Sequence, residues 1–310
     1  MSRRGLIGAA RVGRSAVAPA AFAAAGLATA LVAGAPREPL IRDYVSAVVG
    51  PPPASLGLDP FYRKHTDALG IPVVASAKVP DAALLVARDI VIHMLAPRPD
   101  VRGALVASRW RIAVMAQAES TTDIPEHRAL KKPPREELTA QEQARYERVA
   151  RLSDKDYWDR RARGLGGNPT SCAEENLLGY PGTRYYGENI LVHEFAHAMH
   201  EGIASADPGL FAEIAKAFAD ATAAGRWKGS YGATNAGEYW AEGAQFWFHS
   251  NFEYRDGDRR IVSPEDLLRY DPKLFELLGR VYSDHRIPMD AYSGREIPNT
   301  SRTGVQNVLE

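Results

Sequence analysis

The sequence is poor in the features that usually announce a partner. Cys172 is the single cysteine in 310 residues, so the chain has no internal disulfide and must be held by burial of a core. Neither sign of charge is in excess, with 38 Lys and Arg against 38 Asp and Glu. That balance favours neither nucleic acid nor an acidic membrane surface as a partner. The sequence carries no internal repeat and no recognisable carbohydrate-binding module. Disordered composition is absent too: 45% apolar and 25% charged residues describe a globular chain long enough for one large or two modest domains.

What is present begins with an unusual N-terminus. Arg3, Arg4, Arg11 and Arg14 precede an acid-free, Ala-rich run from Ser15 to Ala35, the outline of an export signal. Ala28-Thr29-Ala30 or Ala33-Gly34-Ala35 offers small residues to a signal peptidase, and retention of the segment would leave an uncleaved membrane anchor. Ser2-Arg3-Arg4 hints at the twin-arginine route. A secreted, periplasmic or cell-envelope protein is expected, touching membrane only through this segment. The domain organisation expected is 1–35 export signal or anchor, 36–60 Pro-rich irregular leader, and 61–310 a single catalytic domain. Within it an N-terminal α/β part reaches to about 160 and the metal-binding part covers 161–310.

Ile71 to Ser76 reads as a strand and is followed by helical periodicity through Leu84, Leu85, Ala87, Ile90, Val91 and Met94. Asp100 to Ser108 is expected to be a short helix, Arg111 to Gln117 a strand, Thr121 to Pro134 a turn-rich loop, and Arg135 to Arg151 a charged helix or linker. Arg163 to Pro169 must be loop. After Gly202 come a helix around Leu210 to Phe218, a third over Ala236 to His249, and a final helical region over Pro264 to Tyr282.

One stretch makes a specific chemical demand. In YGENILVHEFAHAMHEG, Tyr186 to Gly202, His193, Glu194 and His197 spell H-E-x-x-H within an apolar helical frame. Residues four apart lie on nearly one helix face, so both imidazoles can reach a single metal ion. Glu194 lies toward the ion's open position, where it can take a proton from a metal-activated water. A catalytic zinc needs a third protein ligand. The histidine of the longer H-E-x-x-H-x-x-G-x-x-H pattern is missing, because His200 and Ile203 occupy its glycine and histidine positions. His200 sits about 10.5 Å along the axis from His193 and is a bystander. The candidates are Glu238 and Glu242, one turn apart in NAGEYWAEGAQFWF. One carboxylate can bind the metal while the other accepts the N–H of a ligating histidine. Alternatively, Asn235 and Glu238 form a capping box and Glu242 is a solvated helix carboxylate. The aromatic residues Tyr239, Trp240, Phe246, Trp247 and Phe248 are expected in the core. Cys172 reads as a partly buried cysteine rather than a latency switch whose thiolate caps zinc.

Tyr231 to Ser250, YGATNAGEYWAEGAQFWFHS, together with the motif helix, resembles the catalytic domain of anthrax lethal factor and related exported bacterial zinc peptidases. In that family a tyrosine, a glutamate seven residues on and a second glutamate four further on follow the H-E-x-x-H helix in this order. Tyr231, Glu238 and Glu242 match one for one, and the resemblance covers roughly 186–250. It implies a gluzincin-like set: one Zn2+ per chain on His193, His197 and Glu238, with Glu194 as general base. Tyr231 would be phenolic donor to the oxyanion or leaving group, and Glu242 would orient a ligating histidine. The fold class expected is α+β and zincin-like: a small mixed sheet, an active-site helix and a mainly helical C-terminal lobe. The function expected is hydrolysis of peptide bonds in a peptide or protein substrate, which could add as a strand beside Arg111 to Gln117 or Thr170 to Leu178. The rival readings are a zinc hydrolase of a non-peptide amide or cell-envelope substituent, and a non-catalytic binding protein on the same fold.

Overall fold

In the computed structural model, residues 44–138, 140–283 and 285–287 are described. The export segment, the start of the leader and the C-terminal tail lie outside them. Among the described residues no helix is long and apolar enough to cross a membrane.

Four short strands, β1 (Lys64–Ala68), β2 (Ile71–Ala75), β3 (Ile112–Met115) and β4 (Thr170–Ala173), form one sheet in the order 1-2-3-4. β1 and β2 are an antiparallel hairpin closed at Leu69 and Gly70, both with positive φ. β2, β3 and β4 run parallel, with Val73 opposite Ile112 and Val114 opposite Cys172. Parallel neighbours need crossovers. The first is made by α1 (Asp81–Leu95) and α2 (Pro99–Ala107). The second crossover is long and irregular and holds α3 (Ala140–Ala144), α4 (Tyr146–Ala150) and α5 (Asp154–Arg161). The inner strands are Val- and Ile-rich runs buried at every position but Pro72, as expected where both faces are covered. β1 escapes a pattern reading because KHTDA buries only Thr66 and Ala68. The segment from 44 to 60 is irregular but bonded to this frame. Gly50 pairs with His65, and the Ser46 N–H donates to Asp81 at 2.8 Å.

Behind the sheet lie α6 (Glu174–Leu177), α7 (Ile190–Ala206), α8 (Pro208–Ala223) and α9 (Ala236–Trp247). A hairpin of β5 (Tyr254–Asp256) and β6 (Arg259–Ile261) follows, then α10 (Pro264–Tyr270) and α11 (Pro272–Tyr282). α7 begins where the Asn189 side chain accepts the Val192 N–H at 3.1 Å. It ends at Asp207, which precedes Pro208 and is thereby pushed out of helical conformation. The same device splits the last helical stretch. Asp271 precedes Pro272, caps α11 through Leu274 N, and receives the buried Trp227 indole and Tyr239 phenol, each at 2.9 Å.

One apolar cluster runs from Ala68 in the sheet through α1, α7 and α9 to Tyr282. Tyr239, Trp240, Phe246, Trp247 and Phe248 are all in it, as the apolar pattern of their helix demands. The mixed α+β architecture expected from the sequence is what the chain adopts, and Arg135 to Arg151, expected as a charged helix or linker, holds a 3₁₀ turn and the two short helices α3 and α4 rather than one continuous helix. The two strands proposed as substrate edges fare differently from expectation. β3 is internal, flanked by β2 and β4, and β4 ends at Ala173, with 174–177 helical.

α7 packs closely on α2 at Gly202, where an added Cβ would lie 2.7 Å from Val101 Cγ1. Gly202→Leu should therefore lose stability. Its gain in helix propensity is at most about 1 kcal/mol, against an overpacking cost of about 1–3 kcal/mol. Urea denaturation should show a lower midpoint with an unchanged slope.

Candidate metal centre

The three side chains that spacing and resemblance single out as ligands converge. His193 Nε2 lies 3.0 Å from Glu238 Oε2, His197 Nε2 lies 3.2 Å from the same oxygen, and the two Nε2 atoms are 3.3 Å apart. Tetrahedral ligands at zinc distances of about 2.0–2.1 Å are separated by about 3.3 Å, so this triangle fits three corners of one zinc site. Among the described residues it is also the one group of three His, Cys, Asp or Glu side chains whose donor atoms lie within 4.8 Å of one another. Helix α7 brings the histidines together by its pitch, and α9 supplies Glu238 from its first turn. The N–H of Glu238 is capped by Asn235 Oδ1 at 2.9 Å. Half of the capping box is therefore made, but the Glu238 carboxylate turns to the histidines instead of back to Asn235.

The site's polarity comes from burial and crowding. Burial alone would lower the pKa of His193, but the hydrogen bond to Glu238 and the charges of Glu194, Glu238 and Glu242 overcome it and push it up to about 10. Burial opposes ionisation of Glu238 as well, yet its two histidine partners hold it well below the carboxylate range. Glu194 and Glu242 are raised, in each case by burial against the pull of His193. Tyr231 opens the short turn before α9, with its ring stacked 6.1 Å from that of His193. Burial raises its phenol, so it stays a neutral donor at physiological pH. His200 packs on Phe211 with ring centroids 4.5 Å apart and takes no part in the triangle. Cys172 is wholly buried in β4 rather than partly so, and burial raises its thiol far above neutrality, which leaves no thiolate to cap a metal.

Several residues of the centre carry no motif. Gln245, one turn beyond Glu242, donates its Nε2 to the Asn189 carbonyl at 3.0 Å and places Oε1 3.0 Å from His193 Nδ1. Because that carbonyl can only accept, the amide orientation is fixed, and Nδ1 must carry the hydrogen. Nε2 is then the nitrogen that titrates and faces Glu238. Glu242 Oε1 stands 3.7 Å from the same Nδ1, an ion-pair distance rather than a hydrogen bond, and its other oxygen accepts from Asn251 at 2.9 Å. Glu188, also buried, is pushed up to about 8 by burial and by the neighbouring charge of Glu242.

A glycine-rich strap crosses the centre. Leu165 exchanges backbone hydrogen bonds of 3.3 and 2.8 Å with Ser171 and so covers the outer side of β4. Arg163 clamps the strap with a two-point ion pair to Glu175, at 2.7 and 3.0 Å, and with donations to the Ala116 and Glu119 carbonyls. The strap then passes over α7, so closely that a Cβ on Gly164 would lie 2.4 Å from Ile190 Cγ2. A Cβ on Gly166 would touch Glu194 Oε2 and His197. Strap, α5 and the metal cluster bound a cleft of about 390 Å³ lined by Trp158, Arg161, Leu165, Tyr185, Tyr231 and the site carboxylates.

No family model matches the chain, and no curated protein matches it. Among solved structures it is similar to a Pro-Pro endopeptidase from Paenibacillus alvei, with 17% identity and a TM-score of 0.42 over 67% of this chain and 96% of that one. A likeness of that size says nothing about chemistry, which is set by the side chains in the cleft. The resemblance to the lethal factor domain rests on the motif residues alone.

Two outcomes follow for metal binding. Gln245→Leu should weaken zinc affinity about ten- to a hundredfold, and Glu242→Gln should weaken it less; chelator competition measures both. His193 keeps its extra proton up to about pH 10 in the metal-free protein, and that proton must leave before Nε2 can bind metal. Zinc affinity should therefore climb with pH by as much as about tenfold per unit and level off above about pH 10, whereas a flat profile between pH 7 and 9 would refute the assignment.

Proposed function

We propose that the chain is an exported, zinc-dependent metallopeptidase. The observation that carries the reading is the His193, His197 and Glu238 triangle with the Glu194 carboxylate on the adjacent helix position, bordering an open cleft. His193, His197 and Glu238 would hold the ion. Zinc in such a site supplies Lewis acidity, which acidifies water and polarises a carbonyl.

The chain's own residues supply the rest. Glu194 accepts the proton of the attacking water and returns it to the leaving amine. Its raised pKa makes it a stronger proton acceptor than an ordinary carboxylate, which suits the first of these steps. Tyr231, held neutral, donates its O–H to the oxygen or nitrogen on which charge develops. Gln245 keeps the proton of His193 on Nδ1 throughout.

The path of the substrate is read from the strap rather than from β3 or β4. Leu165 spends both its backbone groups on Ser171, so those of Gly164 and Gly166 point the other way, because an extended chain alternates. An extended peptide can pair with them and lie across the metal cluster. The missing side chains at 164 and 166 keep this edge close to Glu194 and His197. Export of the chain rests on the Arg-flanked, Ala-rich N-terminus.

Zinc-loaded residues 36–310 should cleave members of a diverse peptide library detected by mass spectrometry. Glu194→Gln should retain one zinc per chain and lose about 10²- to 10⁴-fold in kcat. Zinc bound without any cleavage would turn the reading toward a non-peptide amide or a cell-envelope substituent.

A further inference from the structure

Arg161 closes α5 and is the one Arg or Lys side chain among the described residues that line the cleft. It comes from the long crossover before β4, outside every motif in the sequence. Its environment is built. Behind it lies Glu142, 1% exposed, which accepts the Tyr157 O–H at 3.0 Å and stands 3.6 Å from Arg161 Nε. The Tyr185 O–H fixes the Arg161 carbonyl at 3.1 Å. Trp158, one turn back on α5, lines the same wall.

The guanidinium carries five donors on a rigid plane. Glu142 stands 3.6 Å from its Nε, and Tyr157 and Tyr231 are near enough for its charge to act on their phenols. Neither phenol is an anion at neutral pH, since burial pushes Tyr157 up to about 12 and Tyr231 higher still. The side chain keeps 21% of its surface open. A partly open cation that lines a cleft and has a buried carboxylate beside it matches a substrate carboxylate, which a guanidinium binds in its own plane.

The geometry points to Arg161 as the specificity residue of the cleft, binding the side-chain carboxylate of a substrate Asp or Glu next to the bond that is cut. The inference rests on the reading of the cleft as a peptidase site. The position is set by neighbours, since Arg161 lines the same cleft as Tyr231, the proposed donor to the reacting group. A role on the reacting carbonyl itself is the competing account, and the two differ in what they predict. Carboxylate recognition affects acidic substrates alone, whereas a role on the carbonyl affects every substrate alike.

The test uses peptides identical except for Glu, Gln or Lys at each position flanking the cleaved bond, with the zinc-loaded protein. At one position kcat/KM for Glu should exceed that for Gln by about ten- to a hundredfold, the range of a hydrogen bond between charged groups. Arg161→Met should bring that ratio toward one by slowing the Glu peptide more than the Gln peptide, and Arg161→Glu should favour Lys. A ratio of one at every position in the unaltered protein overturns the inference, and so does an Arg161→Met protein that slows all three peptides equally. If nothing is cleaved, it is the peptidase reading that has failed. Isothermal titration of the same peptides into zinc-loaded Glu194→Gln protein still reads the Glu to Gln ratio without turnover, and equal affinities there overturn the proposal independently.

Discussion

The centre depends on how the start of α7 is tied to the end of α9. Asn189 makes most of the tie. Its side chain caps α7 at Val192, its N–H donates to the Ser250 carbonyl, and its carbonyl accepts from Gln245. Ser250 in turn donates its N–H to the Gln245 carbonyl at 2.9 Å. The three residues are at most 1% exposed, so each bond is made in a medium where leaving a group unpaired costs about 1–3 kcal/mol. A fully paired network of this kind permits one relative placement of the two helices. That placement brings a carboxylate on α9 to 3.0 Å from an imidazole on α7.

Given that placement, four carboxylates share one small region, and their surroundings sort them. Glu238 meets two imidazoles and is ionised far below the usual range, whereas Glu188, Glu194 and Glu242 are raised because burial outweighs the help they receive. Two groups of the same chemistry thus take opposite parts. The depressed one is a permanent anion suited to a cation, and the raised Glu194 takes up a proton more readily than an ordinary carboxylate. Without metal the site balances itself by holding a proton on His193. A divalent ion bound to these residues would displace that proton and take over its electrostatic work.

The sequence displayed this chemistry unevenly. His193, Glu194 and His197 are legible because helix pitch alone relates them. The choice of Glu238 over Glu242 was not local: both lie on one face, and the resemblance made the assignment. Gln245 escaped notice because nothing in its own segment distinguishes it from a buried amide, and the residue it orients is 52 positions away. The Arg163 clamp is hidden in the same way, since loop composition does not say that its guanidinium will meet Glu175 and the ends of β3. β1 was missed because its alternation is mixed, with polar Thr66 buried and Lys64 half-buried over the Asp81 carboxylate. The break at Asp271 was readable from Asp-Pro, but the apolar period on either side masked it.

On the proposed peptidase reading, the cleft divides recognition between backbone and side chains. The strap offers main-chain groups of Gly164 and Gly166 and no side chains there, so it can hold any extended peptide in register without reading its sequence. Closeness to α7 enforces this, because a Cβ at Gly164 has no room beside Ile190 and the Ser171 carbonyl. Sequence discrimination must therefore come from the opposite wall, and that wall is built from α5, an element on the far side of the strap in the chain. Trp158 and Arg161 line the cleft from α5, with Tyr185 from the segment before α7, and Arg161 carries the one Arg or Lys charge among the described lining residues. The helices that carry the metal donors are committed to packing and cannot vary without moving a ligand. α5 bears none of the donors, so its surface can change without moving a ligand, and such a separation would let one catalytic arrangement serve different substrates.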